Sequence, residues 1–138
     1  MSHQQVHVAL RSVIPADMSV GISGDHFAAQ AVSAGCDGCY SVLGGVLPRV
    51  CQKIFAEAAA GDSGRAADLS DRLLPLWLLF RQHGSYRVVS ALAEELGLVR
   101  HPNLPRPVLG LDESVRKALK DVIERLRAQN IPGLESEN

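Results

Sequence analysis

Neither acidic nor basic residues are in excess in this chain. Its 138 residues carry 14 Lys and Arg against 15 Asp and Glu, a formal net charge of −1. That balance leaves no basic face of the kind that binds nucleic acid, and no nucleic-acid partner is expected. Long apolar runs are missing as well. The longest, Leu73 to Phe80, contains Pro75 and is far too short to span a bilayer. The polar start Met1-Ser2-His3-Gln4-Gln5 has no basic region followed by an apolar stretch, which argues against a secretory leader. No membrane partner is expected. The three cysteines are an odd number without a disulfide-framework spacing, so a reducing, cytoplasmic setting is expected. No HExxH, Walker loop, GxSxG or GxGxxG occurs, and neither a cofactor nor a metal is expected.

What is present is an ordinary globular composition, 46% apolar and 21% charged, and enough length for one core. A weak helix is expected from about His3 to Val13, stopped by Pro15. Met18 to Ser23 reads as a strand closing on Gly24-Asp25. Asp25 is placed to cap a helix running to about Ser33, which Gly35 ends. A second strand is expected at about Gly38 to Leu43, bounded by Gly44-Gly45. Two short strands joined through one helix form a βαβ unit with a parallel pair.

The remainder reads as helix. Pro48 suits a first turn, and Val50, Ile54, Phe55 and Ala58 form one stripe. A further helix from Ser63 puts Leu69, Leu73, Leu76 and Phe80 on one face. After a break at His83-Gly84-Ser85, Val88, Val89, Leu92 and Leu96 mark another. The proline-containing stretch from Arg100 to Leu111 is expected to be extended loop. Asp112 reads as the N-cap of a last helix carrying Val115, Leu119, Val122, Ile123 and Leu126. The tail after Gln129 is polar and is expected to fray.

Two strands make a poor sheet, because both outer edges stay unpaired. The pattern is coherent if they are the last strands of a larger parallel sheet or barrel. Several motifs point the same way. Ser23-Gly24-Asp25-His26, then Ala34-Gly35-Cys36-Asp37-Gly38-Cys39-Tyr40-Ser41-Val42, then Pro48-Arg49, resemble the end of the barrel in the dihydrodipicolinate synthase and N-acetylneuraminate lyase family. Ala58-Ala59-Ala60-Gly61-Asp62, Leu73-Leu74-Pro75-Leu76, the Val88 to Val99 segment and Leu104-Pro105-Arg106-Pro107 resemble later parts of the same family, in the same order.

The resemblance implies an α/β fold, the C-terminal part of a (β/α)8 TIM barrel with its last two parallel strands, plus a C-terminal helical extension, mostly helical in content. Residues 1–60 would be a partial barrel with strands and helices seven and eight. Residues 61–130 would be a three-helix extension, and 131–138 a disordered tail. The family's chemistry is that of a class I aldolase-type lyase. A lysine on the sixth strand forms a Schiff base with pyruvate or another 2-keto acid, a tyrosine on the fifth shuttles protons, and a loop near strand two holds the carboxylate. All of these would precede residue 1, so no catalytic residue is assigned.

The residues support that independently. A Schiff-base lysine must attack as the neutral amine, in a site that lowers its pKa. The chain holds only Lys53, Lys117 and Lys120. All three read as solvated helix-surface charges rather than groups at the end of a strand, where barrel sites are built. By resemblance, Gly24 and Tyr40 are the candidate substrate-binding residues. The family counterpart of Gly24 lies close to the keto acid, and Tyr40 stands where the family usually has a pocket-bordering isoleucine. Gly24 reads equally as a turn glycine, and Tyr40 as a plain strand residue. His26 replaces the second acid of the family's turn and reads as a surface histidine. Cys36-Asp37-Gly38-Cys39 is a CxxC entering a strand rather than opening a helix, the wrong context for redox chemistry.

The reading is therefore a truncated aldolase-family chain, inactive alone, that would take a 2-keto acid only when complemented by the rest of the barrel. The alternative is a non-catalytic assembly module, a homo-oligomer or a chain that docks on a partner half-barrel. A third reading is a free-standing helical binding domain, which predicts no parallel pairing between residues 18–23 and 38–43.

Overall fold

The computed structural model describes residues 2–135. In chain order the elements are α1 (His3–Arg11), β1 (Gly21–Ser23), α2 (Ala28–Ser33), β2 (Gly38–Tyr40), α3 (Pro48–Ala59), α4 (Ser63–Arg72), α5 (Leu74–His83), α6 (Ser85–Glu95) and α7 (Glu113–Ala128). Single 3₁₀ turns follow each strand, at Asp25–Phe27 and Leu43–Gly45.

The expected βαβ unit is present. β1 pairs parallel to β2 with Gly21 opposite Gly38, Ile22 opposite Cys39 and Ser23 opposite Tyr40. That pairing removes the free-standing helical reading. Both strands are shorter than expected, because the ladder has one partner and ends where the chain turns at Gly24 and Ser41. Asp25 does not cap the following helix. No side chain caps that turn, and the Asp25 carboxyl is used elsewhere.

α3 packs the stripe Val50, Ile54 and Ala58 into the core as expected, with Phe55 half-buried against it. The single helix expected from Ser63 to Phe80 is broken into α4 and α5. Pro75 lies in the first turn of α5. Its ring has no N–H and would clash with the carbonyl four residues back, so the helix restarts there. Residues 61–130 consequently hold four helices where three were expected. Asp112 does cap α7, accepting from the Val115 N–H at 3.0 Å. One apolar cluster runs from Leu43 and Val50 through Leu73, Leu76 and Leu92 to Leu119 and Leu126, so the stretches before and after residue 60 share a core.

The expected disordered tail differs in its first part. Ile131 and Leu134 are buried in that same cluster. They are spaced so that both reach the core beyond the end of α7. The last residues of that tail, 136–138, lie outside the described residues.

α1 is attached differently from every other helix. Ser2 and Gln5 form a capping box, but no residue of the helix is buried. The Arg11 guanidinium ties it down by donating to the Met18 carbonyl and to the Asp37 carboxylate. The Val20 N–H, at 2.7 Å, also donates to Asp37. That backbone donor, with the Arg11 guanidinium beside it, holds the Asp37 carboxyl below the usual aspartate range. Among the described residues, no helix is long and apolar enough to cross a membrane.

Candidate functional site

Strand side chains alternate between faces, and the two faces of this pair differ. Cys39 points among Ala28, Ile54, Phe55 and Trp77, on the helix side. Tyr40 lies on the open face and is 75% exposed. Its ring edge rests over the backbone of Gly21, where an added Cβ would stand 2.7 Å from Tyr40 Cε2. Glycine at position 21 is what lets the ring lie there.

Gly24 follows β1 with φ +101, and a side chain there would also press on Phe27 Cδ2 at 3.2 Å. Both the backbone conformation and the space call for glycine. Because Ser23 pairs with Tyr40, Gly24 and Tyr40 lie at the same end of the two strands. Only Gly24 borders the cleft at that end. The cleft has a volume of about 160 Å³, and Ser23, His26, Val42, Phe80 and Arg81 also line it.

The residue that organises this end was not singled out from the sequence as part of a site. Asp25 is buried, 6% exposed. It accepts a hydrogen bond from Ser41 Oγ at one carboxylate oxygen. The other oxygen accepts the N–H groups of Val42, at 3.1 Å, and Leu43, at 3.4 Å. Ser41 Oγ in turn accepts the Gly44 N–H at 2.8 Å. Asp25 thus clasps the loop after β2 to the loop after β1. The available signal was a carboxylate and a hydroxyl placed just past the ends of two paired strands.

His26 packs against Phe27, with ring centroids 3.8 Å apart and the planes tilted by 43°. Burial lowers its pKa, and the nearby Arg81 guanidinium lowers it further, against a smaller opposing pull from Asp25. The three thiols are all shifted upward. Burial is the main cause for Cys36 and for Cys39, and it pushes Cys51 up to about 11. A redox CxxC needs the opposite shift. Among the described residues no group of three or more His, Cys, Asp or Glu side chains is placed to hold a metal ion. Lys53 on α3 and Lys117 and Lys120 on α7 are exposed, and none lies at a strand end.

A strand-end glycine, a clasped pair of βα loops and a helical annex packed on the same core are the parts of a barrel end. A model of the Dihydrodipicolinate synthetase family matches residues 3–126. The chain belongs to that family. The 4-hydroxy-tetrahydrodipicolinate synthase of Novosphingobium aromaticivorans is 35% identical over 100 residues, covering 71% of this chain and 33% of that protein. Among solved structures, a dihydrodipicolinate synthase from Agrobacterium tumefaciens is similar with a TM-score of 0.85 at 35% identity, covering 90% of this chain and 41% of that one. The chloride-inhibited dihydrodipicolinate synthase from Acinetobacter baumannii, solved with pyruvate, shares the fold at 24% identity and a TM-score of 0.75, over 89% of this chain and 40% of that one. This chain therefore spans about a third of the length of the curated relatives it matches, and its fold is that of part of a family barrel.

Proposed function

We propose that this chain supplies one flank of a class I aldolase-type site, the last two strand ends with Gly24 and Tyr40, and that it has no such chemistry by itself. On this reading a 2-keto acid such as pyruvate is held only when the remaining strands of the barrel bring the Schiff-base lysine. One observation carries this: every lysine of the chain is exposed on a helix, away from the strand ends. A Schiff-base lysine must stand beside the bound keto acid, and barrel sites are built at the strand ends, where none of these lysines lies. Pyruvate is suggested by the ligand of the Acinetobacter baumannii relative. Gly24 borders the cleft without a side chain, and any side chain there would press on Phe27. Tyr40, on the open face, would border the enclosed space once further strands cover that face.

The test is reductive trapping. The purified chain is incubated with pyruvate and sodium borohydride beside a full-length family member, and intact masses are recorded. The full-length protein should gain one reduced pyruvate and this chain none. An adduct on Lys53, Lys117 or Lys120 would overturn the proposal.

A further inference from the structure

On the helix side of β2, opposite the face that carries Tyr40, α2, α3 and α5 line a partly open cavity of about 180 Å³. Ala28, Ile54, Phe55 and Trp77 form its apolar walls, and Cys39, Cys51, Ser41 and Asp25 close one end. The walls are fixed. Trp77 Nε1 donates to the Ser70 carbonyl at 2.9 Å, and the indole meets Phe80 edge-on at 5.5 Å between centroids, so the ring is not free to swing inward. Asp25 is held by Ser41 and two backbone N–H groups.

We propose that this cavity binds a small, neutral, single-ring compound with one hydroxyl group, the ring among Ala28, Ile54, Phe55 and Trp77 and the hydroxyl donating to Asp25. Size supports the ring, since an apolar protein cavity of about 150 Å³ takes up benzene. Charge supports neutrality, because the buried Asp25 carboxylate repels an anion and no cationic side chain lines the space. The Asp25 oxygen bonded to Ser41 accepts a single protein hydrogen bond and keeps a lone pair for the ligand. The thiols of Cys39 and Cys51 stay protonated, Cys51 with a pKa of about 11, so they line the cavity as small, weakly polar groups. This site goes beyond the proposed aldolase role and stands independently of it.

Trp77 is the single tryptophan of the chain, so its indole N–H gives one nitrogen–proton NMR signal. The labelled 138-residue chain is titrated with phenol and with benzene. Phenol should shift the Trp77 signal saturably and bind about tenfold more tightly than benzene, the expected gain from a hydrogen bond to a carboxylate. Ala28→Phe, which fills the cavity, should abolish the shift, and Cys51→Leu serves as the second filling variant should the first not fold. Absence of a saturable shift, an undiminished shift in a folded filled variant, or equal affinity for phenol and benzene would each overturn the proposal.

Discussion

β1 and β2 are three residues each and, among the described residues, pair only with one another, whereas α6 buries six of its eleven residues, from Val88 to Ala93. The strand pair is held by discrete polar ties, the Asp25 clasp at one end and the Arg11–Asp37 contact at the other. The helical part is held by continuous apolar packing, with Leu73, Leu76, Leu92 and Leu119 all at most 1% exposed. Polar ties fix position without burying much surface, which is what a set of loops bordering a cleft requires. Packing supplies the bulk of the stability, so the helical annex is the platform on which the strand ends are positioned.

The largest expected effect falls on the platform. Leu92→Ala should cost about 2–5 kcal/mol, from lost transfer energy and the cavity left behind. A urea midpoint measured against wild type checks it. A loss under 1 kcal/mol would mean that the core carries less of the stability than its burial implies.

Breaking the clasp comes next. Asp25→Ala leaves the Ser41 hydroxyl and the Val42 and Leu43 N–H groups without their acceptor, at a cost of about 1–3 kcal/mol. Its signature is local. Amide exchange should rise at residues 42–44 while α6 keeps its protection relative to the new global stability. Equal loss of protection everywhere would erase the distinction between tie and platform.

A smaller effect belongs to the polar network around Glu94. The Glu94 side chain is 8% exposed and accepts from Arg116 Nη1 at 2.7 Å. Asn103 Nδ2 donates to it at 2.6 Å, and His101 Nδ1 stands 3.1 Å away. Burial alone would raise the Glu94 pKa, but the hydrogen bonds from Arg116 and His101 outweigh it and hold the group below the usual glutamate value of 4.5. A depressed folded pKa stabilises above the unfolded value, and that contribution is lost as pH falls through the folded one. The stability difference between wild type and Glu94→Gln should therefore be fully developed at pH 7 and shrink below about pH 4. Urea midpoints at three pH values check the trend, and a difference that grows on acidification would reverse the assignment.

Smallest of all is Tyr40→Ile. With the ring 75% exposed, the change should stay within about 0.5 kcal/mol in a thermal melt.

Much of this division was legible in the sequence. The parallel pairing followed from two short apolar runs bracketing one helix, and the stripe on α3 and the Asp112 cap followed from local spacing. The Asp25 clasp was not legible, because an aspartate before a helix satisfies a local capping pattern, while its actual partners lie 16 to 18 residues away. The break at Pro75 was masked by a leucine stripe that continues in register through it. Ile131 and Leu134 stand among Asn130, Pro132, Gly133 and Glu135, too short a stretch to show a periodicity, although two apolar side chains three apart suffice to dock a chain end. Of the candidate pair, Gly24 borders the cleft and Tyr40 does not, a difference set by which face of β2 is covered.

The fastening of α1 has a consequence for how the molecule opens. A helix with His3, His7 and Arg11 only half-buried exposes less new surface when it detaches than the buried helices do, and sensitivity to denaturant scales with the surface exposed. Its amides should exchange through openings whose free energy depends only shallowly on added urea. The amides of α6 report a global opening that steepens with every increment. The N-terminal turns thus behave as a latch that lifts and resets many times within the lifetime of one intact core.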